Sequence, residues 1–156
     1  MPVPPMPETC RVLVVEDDSN ALSGYLEFLA AAGFQPTGVG DGAEALSIAL
    51  RNPPAAVVTD ITMPGMSGFE LAAALRCDVR TRQVPVIGLT AHWTPDVRAR
   101  ALDVAMQAVL LKPCVPSHLV AELERVLGRI RALDGVPAGR PVKMPAIPPA
   151  DQHSIR

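Results

Sequence analysis

Short apolar runs alternate with longer segments of helical spacing, and this pattern restricts the fold more than any other feature of the chain. The run 55–59 is apolar on both faces, and similar runs lie near residues 10–15, 35–39, 84–89 and 107–111. A strand without a polar face belongs to a parallel sheet that helices cover on both sides. We therefore expect an α/β fold of five strand–helix units, a three-layer sandwich around a doubly wound parallel sheet.

Capping residues help to place the helices between these runs. Asp18, together with Ser19, fits the N-terminal cap of the first helix. Thr94 and Pro95 fit the N-cap and the first helical position of a short fourth helix. Apolar residues at helical intervals predict the last helix over about residues 116–131.

The two ends of the chain differ from its centre in composition. Residues 1–8 and 132–156 are rich in proline and lack helical or strand periodicity, which is typical of flexible tails. Residues 9–131 remain as one domain, long enough to bury a core without metal or disulfide support. Neither a signal peptide nor a run of about 20 apolar residues is present. We therefore expect a cytoplasmic protein without membrane insertion.

The charged residues and the cysteines exclude some classes of function. A formal net charge of -2 gives no overall field that would attract nucleic acid or anionic lipid. The 3 cysteines are widely spaced and form no C-x-x-C pair, so we expect reduced thiols and no zinc or redox motif. Several arginines are expected to form mostly a solvated face, and these are Arg76, Arg80, Arg82, Arg98 and Arg100.

Polar residues follow four of the predicted strands at the point where each strand ends. Glu16 and Asp17 follow the first strand, Asp60 the third, Thr90 the fourth and Lys112 the fifth. Parallel strands place their carboxyl ends at one edge of the sheet, where ligands bind. Two carboxylates 4 Å apart repel by ~4 kcal/mol at an effective dielectric near 20, so a converged cluster requires a cation. The predicted ligands are all oxygen atoms, and Mg²⁺ is a cation that prefers oxygen ligands and also binds phosphate oxygens, so we predict Mg²⁺ at this cluster.

This cluster predicts a phosphoryl acceptor. With the metal bound, a carboxylate such as that of Asp60 can act as a nucleophile toward a phosphoryl group. Lys112 would neutralise the phosphoryl oxygens, and Thr90 would donate a hydrogen bond to one of them. Taken singly, each residue has a structural alternative, as a turn, a helix cap or a surface lysine. Trp93, the only tryptophan, is expected to pack beside the pocket.

Four motifs resemble those of the receiver domains of two-component response regulators, over roughly residues 9–131. The motifs are Val14-Val15-Glu16-Asp17-Asp18, Asp60-Ile61-Thr62-Met63-Pro64-Gly65-Met66-Ser67-Gly68, Leu89-Thr90-Ala91 and Lys112-Pro113. The resemblance implies a flavodoxin-like sheet with the strand order 2-1-3-4-5. It also implies a cis peptide between Lys112 and Pro113, an isomer that only an X-Pro bond adopts at low cost.

The same resemblance assigns roles to the polar residues at the strand ends. It implies that Asp60 is phosphorylated and that Thr90 and Lys112 contact the phosphoryl group. It further implies that Mg²⁺ is bound directly by Asp17 and Asp60, and largely through water by Glu16. The main-chain carbonyl of Thr62 completes the implied metal ligands.

The resemblance also implies partners. The phosphoryl donor would be a phosphohistidine of a sensor histidine kinase or of a histidine phosphotransfer protein. The domain would catalyse only its own phosphorylation and dephosphorylation, and is therefore not an enzyme in the usual sense. About 25 proline-rich residues follow the last predicted helix. We accordingly expect no DNA-binding output segment, no nucleic-acid partner, and signalling to an unknown downstream protein or by phosphorelay, as a monomer or a weak homodimer.

Three alternatives stay open, and the first of them rests on departures from the receiver pattern. Val109 stands where most receivers have Tyr or Phe, and Cys114 stands where Phe often follows Lys-Pro. The missing ring allows a degenerate receiver that binds partners whatever its phosphorylation state. An aspartyl-phosphate phosphatase is a second alternative, although that class usually has an aspartate where this chain has Thr62. In the third, the tail with Arg140 and Lys143 docks as an extended polyproline segment.

Overall fold

A computed structural model describes residues 10–135 of the chain as a single sheet flanked by helices. The predictions for the proline-rich segments lie outside the described residues, apart from the first few residues of the second segment. The strands are β1 (Arg11–Val15), β2 (Gln35–Val39), β3 (Ala56–Asp60), β4 (Val86–Thr90) and β5 (Ala108–Leu111). The helices are α1 (Ser19–Ala31), α2 (Gly42–Arg51), α3 (Gly68–Arg76), α4 (Pro95–Asp103) and α5 (Pro116–Gly135).

The sheet has the strand order β2-β1-β3-β4-β5, and every pair of neighbouring strands is parallel. The predicted fold class and strand order are therefore confirmed. All residues of β3 and β4 are buried, as expected for strands that helices cover on both faces. Because Asp60 lies opposite Leu89 in the register, β3 and β4 end side by side at one edge of the sheet.

Alternate residues of the strands pack into two separate cores, one on each face of the sheet. Val15 and Val57 belong to the core that contains residues of α2, α3 and α4. Val14 and Val58 belong to the core that contains residues of α1 and α5. Successive side chains of a strand point to opposite faces, so an apolar residue at every position supplies both cores. This arrangement explains the uninterrupted apolar runs of the sequence.

Several element boundaries differ from the predicted ones. β3 and β4 end at Asp60 and Thr90, one residue later than expected, because ladder hydrogen bonds continue past these residues. The Ile61 amide donates to the Leu89 carbonyl at 2.8 Å, and the Lys112 amide donates to the Thr90 carbonyl at 2.7 Å. The last helix continues to residue 135, which is beyond the predicted domain boundary at 131.

Cys10, Cys77 and Cys114 are all free thiols, as predicted. Between residues 10 and 135, no helix combines the length and the apolar character that crossing a bilayer requires.

Arg76 is an exception to the expectation that these arginines form mostly a solvated face. Its guanidinium donates to the carbonyls of Val104, Arg82, Val84 and Ala105, at 3.2, 3.0, 2.7 and 3.0 Å. Burial lowers the pKa of Arg76, and the four carbonyls satisfy the buried donors. The side chain therefore joins the end of α3 to the segment before β4 and to the turn after α4.

Three of the other arginines agree with the prediction, and one has an additional role. Arg80, Arg82 and Arg98 are exposed. Arg100 is also exposed, but its guanidinium carbon lies 4.3 Å from the centroid of the Phe69 ring. Cation–π contacts of this kind contribute about 0.5–1 kcal/mol at exposed sites. Arg100 thus adds a second connection between α4 and α3.

The start of α3 is held closely against the end of β3. The Ser67 hydroxyl accepts a hydrogen bond from the Glu70 amide at 3.1 Å, and the Glu70 carboxylate accepts one from the Ser67 amide at 2.9 Å. This capping box satisfies two amides that the helix itself leaves free. Gly68 follows directly, with no side chain between α3 and the backbone of Asp60 and Ile61.

We expect Gly68→Ala to lower the free energy of unfolding by about 1–3 kcal/mol, the usual cost of overpacking. A Cβ at Gly68 would lie 2.5 Å from the carbonyl oxygen of Asp60 and 2.8 Å from the Cα of Ile61. Gly24→Ala in α1 is the matched control, because apart from its chain neighbours and the backbone of its own helix nothing lies within 4 Å of its Cβ position. For Gly24→Ala we expect the free energy of unfolding to rise by about 0.8–1 kcal/mol, because alanine has a higher helix propensity than glycine. Urea unfolding of the two variants measures both changes, and equal effects would contradict the close approach.

Candidate functional site

Three of the predicted site residues converge at the carboxyl edge of the sheet. The Lys112 Nζ lies 3.0 Å from Oε1 of Glu16 and 3.0 Å from Oδ2 of Asp60. Glu16 directly follows β1, Asp60 ends β3, and Lys112 directly follows β5. Both carboxylates are buried, with only 1% of Glu16 and 6% of Asp60 exposed. The peptide between Lys112 and Pro113 is cis, as the resemblance implied.

Main-chain amides hold the remaining oxygens of both carboxylates. Oε2 of Glu16 accepts a hydrogen bond from the amide of Asp18 at 3.1 Å. Oδ1 of Asp60 accepts one from the amide of Thr62 at 3.0 Å. Asp18 also caps α1 by accepting from the Asn20 amide at 3.2 Å, as predicted. The loops after β1 and β3 therefore fix the orientation of the two buried carboxylates.

Glu16, Asp17 and Asp60 could together hold a metal ion. Each contributes one carboxylate oxygen, and these oxygens lie within 4.8 Å of one another. Asp17 is exposed, whereas the other two side chains are buried. A set of carboxylate oxygens without sulfur or imidazole ligands fits a hard divalent cation, and an exposed member leaves room for water ligands. The donor set therefore fits the predicted Mg²⁺.

The charges in this cluster are only partly balanced. Burial raises the pKa of Glu16, the hydrogen bond from Lys112 opposes this effect, and the nearby charge of Asp60 adds to it. Burial acts to lower the pKa of Lys112, but the hydrogen bonds to Glu16 and Asp60 raise the pKa above its usual value. The ammonium therefore keeps its proton. The ammonium pairs with Glu16 and Asp60, and the carboxylate of Asp17 adds a third negative group to the cluster, which favours binding a cation.

Thr90 lies at the same edge of the sheet, but its hydroxyl is directed elsewhere. The hydroxyl donates to the carbonyl of His92 at 3.0 Å and accepts from the His92 amide at 3.2 Å. In the described part of the chain, both of its hydrogen bonds therefore go to the loop before α4. Lys112, Glu16, Asp60 and the Thr62 amide form one connected group, and the Thr90 hydroxyl is not bonded to that group.

The main-chain contacts of His92 to Thr90 were not predicted from the sequence. Its main-chain groups, and not its imidazole, contact Thr90, and main-chain groups carry no signature of residue type. A partial signal was available, because a threonine at the start of a loop often bonds the main chain two residues later. Trp93, the next residue, is 6% exposed, so its side chain is packed. That it packs beside the pocket stays a prediction.

The parallel sheet and the acidic group at its edge define a class of signalling domain. The chain belongs to the response regulator receiver domain family, which it matches over residues 12–124. It is similar to the transcriptional regulatory protein PrrA of Mycobacterium tuberculosis, with 40% identity over 119 residues, 76% of this chain and 50% of that protein. The DNA-binding response regulator MtrA of Mycobacterium leprae is 36% identical over 129 residues, 82% of this chain and 54% of that protein.

Solved structures give the same family. The chemotaxis response regulator CheY4 of Vibrio cholerae has a TM-score of 0.72 and 30% identity, covering 76% of this chain and 98% of that chain. The receiver domain of sensor histidine kinase PA1611 from Pseudomonas aeruginosa has a TM-score of 0.70 and 30% identity, covering 76% and 97%. The latter structure is described with a magnesium ion coordinated in its active site cleft.

The length of the relatives bears on the output of the chain. The chain spans about half the length of the curated relatives it matches, and two of these are named as a transcriptional regulator and a DNA-binding regulator. The expectation that no DNA-binding segment follows the receiver domain therefore stays a prediction.

Proposed function

We propose that this receiver domain accepts a phosphoryl group on Asp60 from a phosphohistidine of a sensor histidine kinase or a histidine phosphotransfer protein. The observation that supports this proposal is the ammonium of Lys112, which lies 3.0 Å from Oδ2 of Asp60, beside a group of three carboxylates. An oxygen of Asp60 attacks phosphorus, and the bond between phosphorus and the imidazole nitrogen breaks. The electron pair of that bond returns to the imidazole, and an acyl phosphate is formed.

Residues of this chain would hold the metal ion and position the reacting carboxylate. Glu16, Asp17, Asp60 and the main-chain carbonyl of Thr62 would hold Mg²⁺, which supplies positive charge to the phosphoryl oxygens when it is bound. The amide of Thr62 keeps Asp60 oriented through Oδ1 at 3.0 Å. Burial of Asp60, of which 6% is exposed, limits the access of water to the reacting oxygen.

Lys112 and Thr90 would stabilise the phosphorylated state. The Lys112 ammonium stays charged at neutral pH because its two carboxylate partners raise its pKa. When Asp60 carries a phosphoryl group, the ammonium donates to a phosphoryl oxygen, a charge-assisted hydrogen bond of the stronger kind. Thr90 donates to another phosphoryl oxygen after its hydroxyl leaves the His92 carbonyl.

The proposed output is binding to another protein or transfer of the phosphoryl group along a relay. The added negative charge shifts a pre-existing equilibrium between two surfaces of the domain. The domain acts on no external substrate and catalyses only its own phosphorylation and dephosphorylation. The downstream partner is a protein, and the phosphoryl donor is a histidine-containing protein.

The proposal predicts that acetyl phosphate with Mg²⁺ adds one phosphoryl group per chain. Phosphoramidate, whose phosphorus–nitrogen bond resembles that of phosphohistidine, is expected to act as a second donor. Intact-mass spectrometry measures the added group, and hydroxylamine, which attacks acyl phosphates, is expected to remove it. Chelating Mg²⁺ with EDTA is expected to prevent labelling. A chain that remains unlabelled with both donors would contradict the proposal, and full labelling in EDTA would contradict the role of the metal.

A further inference from the structure

We propose that Gly42, the first residue of α2, is a positioning residue for the β3–α3 loop, residues 61–67, and through it for the Mg²⁺ site. This inference rests on the proposed function, because Thr62 of the β3–α3 loop is a proposed ligand of the metal ion. It adds a residue from a helix that contributes none of the proposed ligands. It also names the contact through which α2 acts, which is the contact between Gly42 and Met66.

Hydrogen bonds hold the β3–α3 loop only near its two ends. At its start, the Ile61 amide donates to the Leu89 carbonyl at 2.8 Å. At its end, the Gly68 amide donates to the Ile61 carbonyl at 2.9 Å. Within the described part of the chain, residues 63–66 make no hydrogen bond. The position of this central part of the loop therefore depends on packing.

Two methionines and the start of α2 supply this packing. Met63 is buried in the core that contains residues of α2, α3 and α4, and Met66 is partly buried against the same core. Gly42 is buried beside Met66. A Cβ at Gly42 would lie 2.8 Å from the Met66 carbonyl oxygen, 3.0 Å from its Cβ and 3.2 Å from its Cγ. Carbon atoms in contact are normally about 3.5–4.0 Å apart, so no side chain fits between α2 and the loop.

The backbone conformation of Gly42 does not itself require glycine. Among the described glycines, Gly33 and Gly65 have a positive φ, and Gly42 does not. Position 42 lies in a helix, where alanine is the most favourable residue. What the missing side chain allows is therefore the close approach of Met66.

A side chain at this position would displace the β3–α3 loop more readily than α2. Ala45 and Ala49 of α2 are fully buried in the core, and a close-packed core resists displacement. The central part of the loop has no hydrogen bond to keep it in place. A shift of the loop moves Thr62 relative to Asp60, to which the Thr62 amide donates at 3.0 Å. Because Mg²⁺ requires near-ideal octahedral geometry, a displaced Thr62 carbonyl would weaken its binding.

Gly42→Ala is expected to weaken Mg²⁺ binding about tenfold, the lower end of the loss that follows when a residue orienting a metal ligand is changed. The full chain is titrated with Mg²⁺, and NMR shifts of main-chain amides give the dissociation constant at a temperature where the variant is folded. A second measurement needs no metal. In Mg²⁺-free Gly42→Ala, the amide resonance of Thr62 is expected to differ from that of the wild type, because the loop has moved.

Gly38→Ala in β2 is the matched control. A Cβ at Gly38 would lie 2.8 Å from Cδ1 of Leu26 and 3.0 Å from Cδ1 of Leu22, distances as short as those at Gly42. Both leucines belong to α1, so this variant overpacks the domain without touching the β3–α3 loop. We expect it to bind Mg²⁺ as tightly as the wild type. Equal weakening in both variants would overturn the inference, because overpacking anywhere would then have the same effect.

Met66→Gly tests the contact from its other side, and it keeps the test informative if Gly42→Ala does not fold. The substitution removes the Cβ and Cγ atoms that face Gly42. We expect weaker Mg²⁺ binding, because the central part of the loop loses its contact with α2. In the double variant, the two effects on the dissociation constant are expected to multiply to less than the product of the single effects, as for residues in contact. Unchanged binding in Met66→Gly, or independent effects in the double variant, would overturn the role of this contact.

The outcomes separate this inference from the proposed function. If the wild type and Gly42→Ala bind Mg²⁺ equally tightly, the positioning role of Gly42 is overturned and the proposed function stands. Weaker binding with an unchanged Thr62 resonance would also overturn the inference, because the loop would not have moved. A wild-type chain that binds no Mg²⁺ would overturn the proposed metal site and this inference together.

Discussion

Asp60→Asn is expected to abolish transfer of a phosphoryl group to the chain while the fold is retained. The amide of asparagine is not a nucleophile toward phosphorus, so no acyl phosphate can form at this position. Asparagine keeps the size of the side chain and an oxygen that can accept from the Thr62 amide, now bonded at 3.0 Å. Lys112 keeps Glu16 as a partner at 3.0 Å, so no buried charge is left unpaired. We expect the free energy of unfolding to change by about 1 kcal/mol or less.

Intact-mass spectrometry after incubation with acetyl phosphate and Mg²⁺ measures this loss. Asp41→Asn is the matched control, because Asp41 is an exposed aspartate that caps α2 through the amides of Ala43 and Glu44. An asparagine at the N-cap preserves this role, so we expect normal labelling and a fold close to the wild type. Full labelling of Asp60→Asn would place the acceptor on another residue and remove the proposed role of Asp60.

The sheet and the acidic group could be predicted from the sequence because each rests on a strong local signal. A strand that is buried on both faces requires apolar residues at successive positions. The first three residues of Ala56–Asp60 are apolar, and only the last two are polar. A carboxylate at the end of such a run, as at Asp60, has to lie at the carboxyl edge of the sheet. The rule that this edge binds ligands then brings Glu16 and Lys112 to the same place.

Contacts to the main chain account for what could not be predicted. Arg76 binds four carbonyls that lie 6 to 29 residues away in the sequence, and any residue type can offer a carbonyl. Nothing in the sequence therefore distinguishes Arg76, which has four carbonyl partners, from the exposed Arg82. The hydroxyl of Thr90 has the same limitation, since its partner is the main chain of His92. The predicted ends of β3 and β4 were one residue too early, because ladder hydrogen bonds, and not side chains, decide where a strand stops.

Lys112→Met is expected to lower the free energy of unfolding by about 3 kcal/mol, because removing one partner of a buried ion pair leaves an uncompensated charge. Glu16 is 1% exposed and loses its only cationic partner among the described residues, and Asp60 loses the same partner. Methionine keeps most of the apolar stem, so the loss reports the charge more than the packing. We place the effect at the lower end of the usual range because 25% of the Lys112 side chain is exposed.

Urea unfolding measures this change, and Arg125→Met provides the matched control. Arg125 pairs with Glu122 within α5, where 31% and 15% of the two side chains are exposed. A pair of partly exposed residues three positions apart on one helix contributes up to about 1 kcal/mol, and neither partner is fully buried as Glu16 is, so the control is expected to lose much less stability than Lys112→Met. Equal losses in the two variants would mean that burial of Glu16 and Asp60 does not increase the contribution of the Lys112 ion pairs to stability.

A double variant tests whether the unpaired charge of Glu16 causes the loss. In the Lys112→Met background, Glu16→Gln removes the buried negative charge that has lost its partner. We therefore expect the two substitutions together to cost less than the sum of their separate effects, with a coupling of about 1–3 kcal/mol. Mg²⁺ is expected to stabilise Lys112→Met more than the wild type, because a bound cation replaces the missing positive charge beside the carboxylates. Strict additivity, with no difference in the response to Mg²⁺, would mean that Lys112 contributes packing and not the charge that the proposed phosphoryl binding at Asp60 requires.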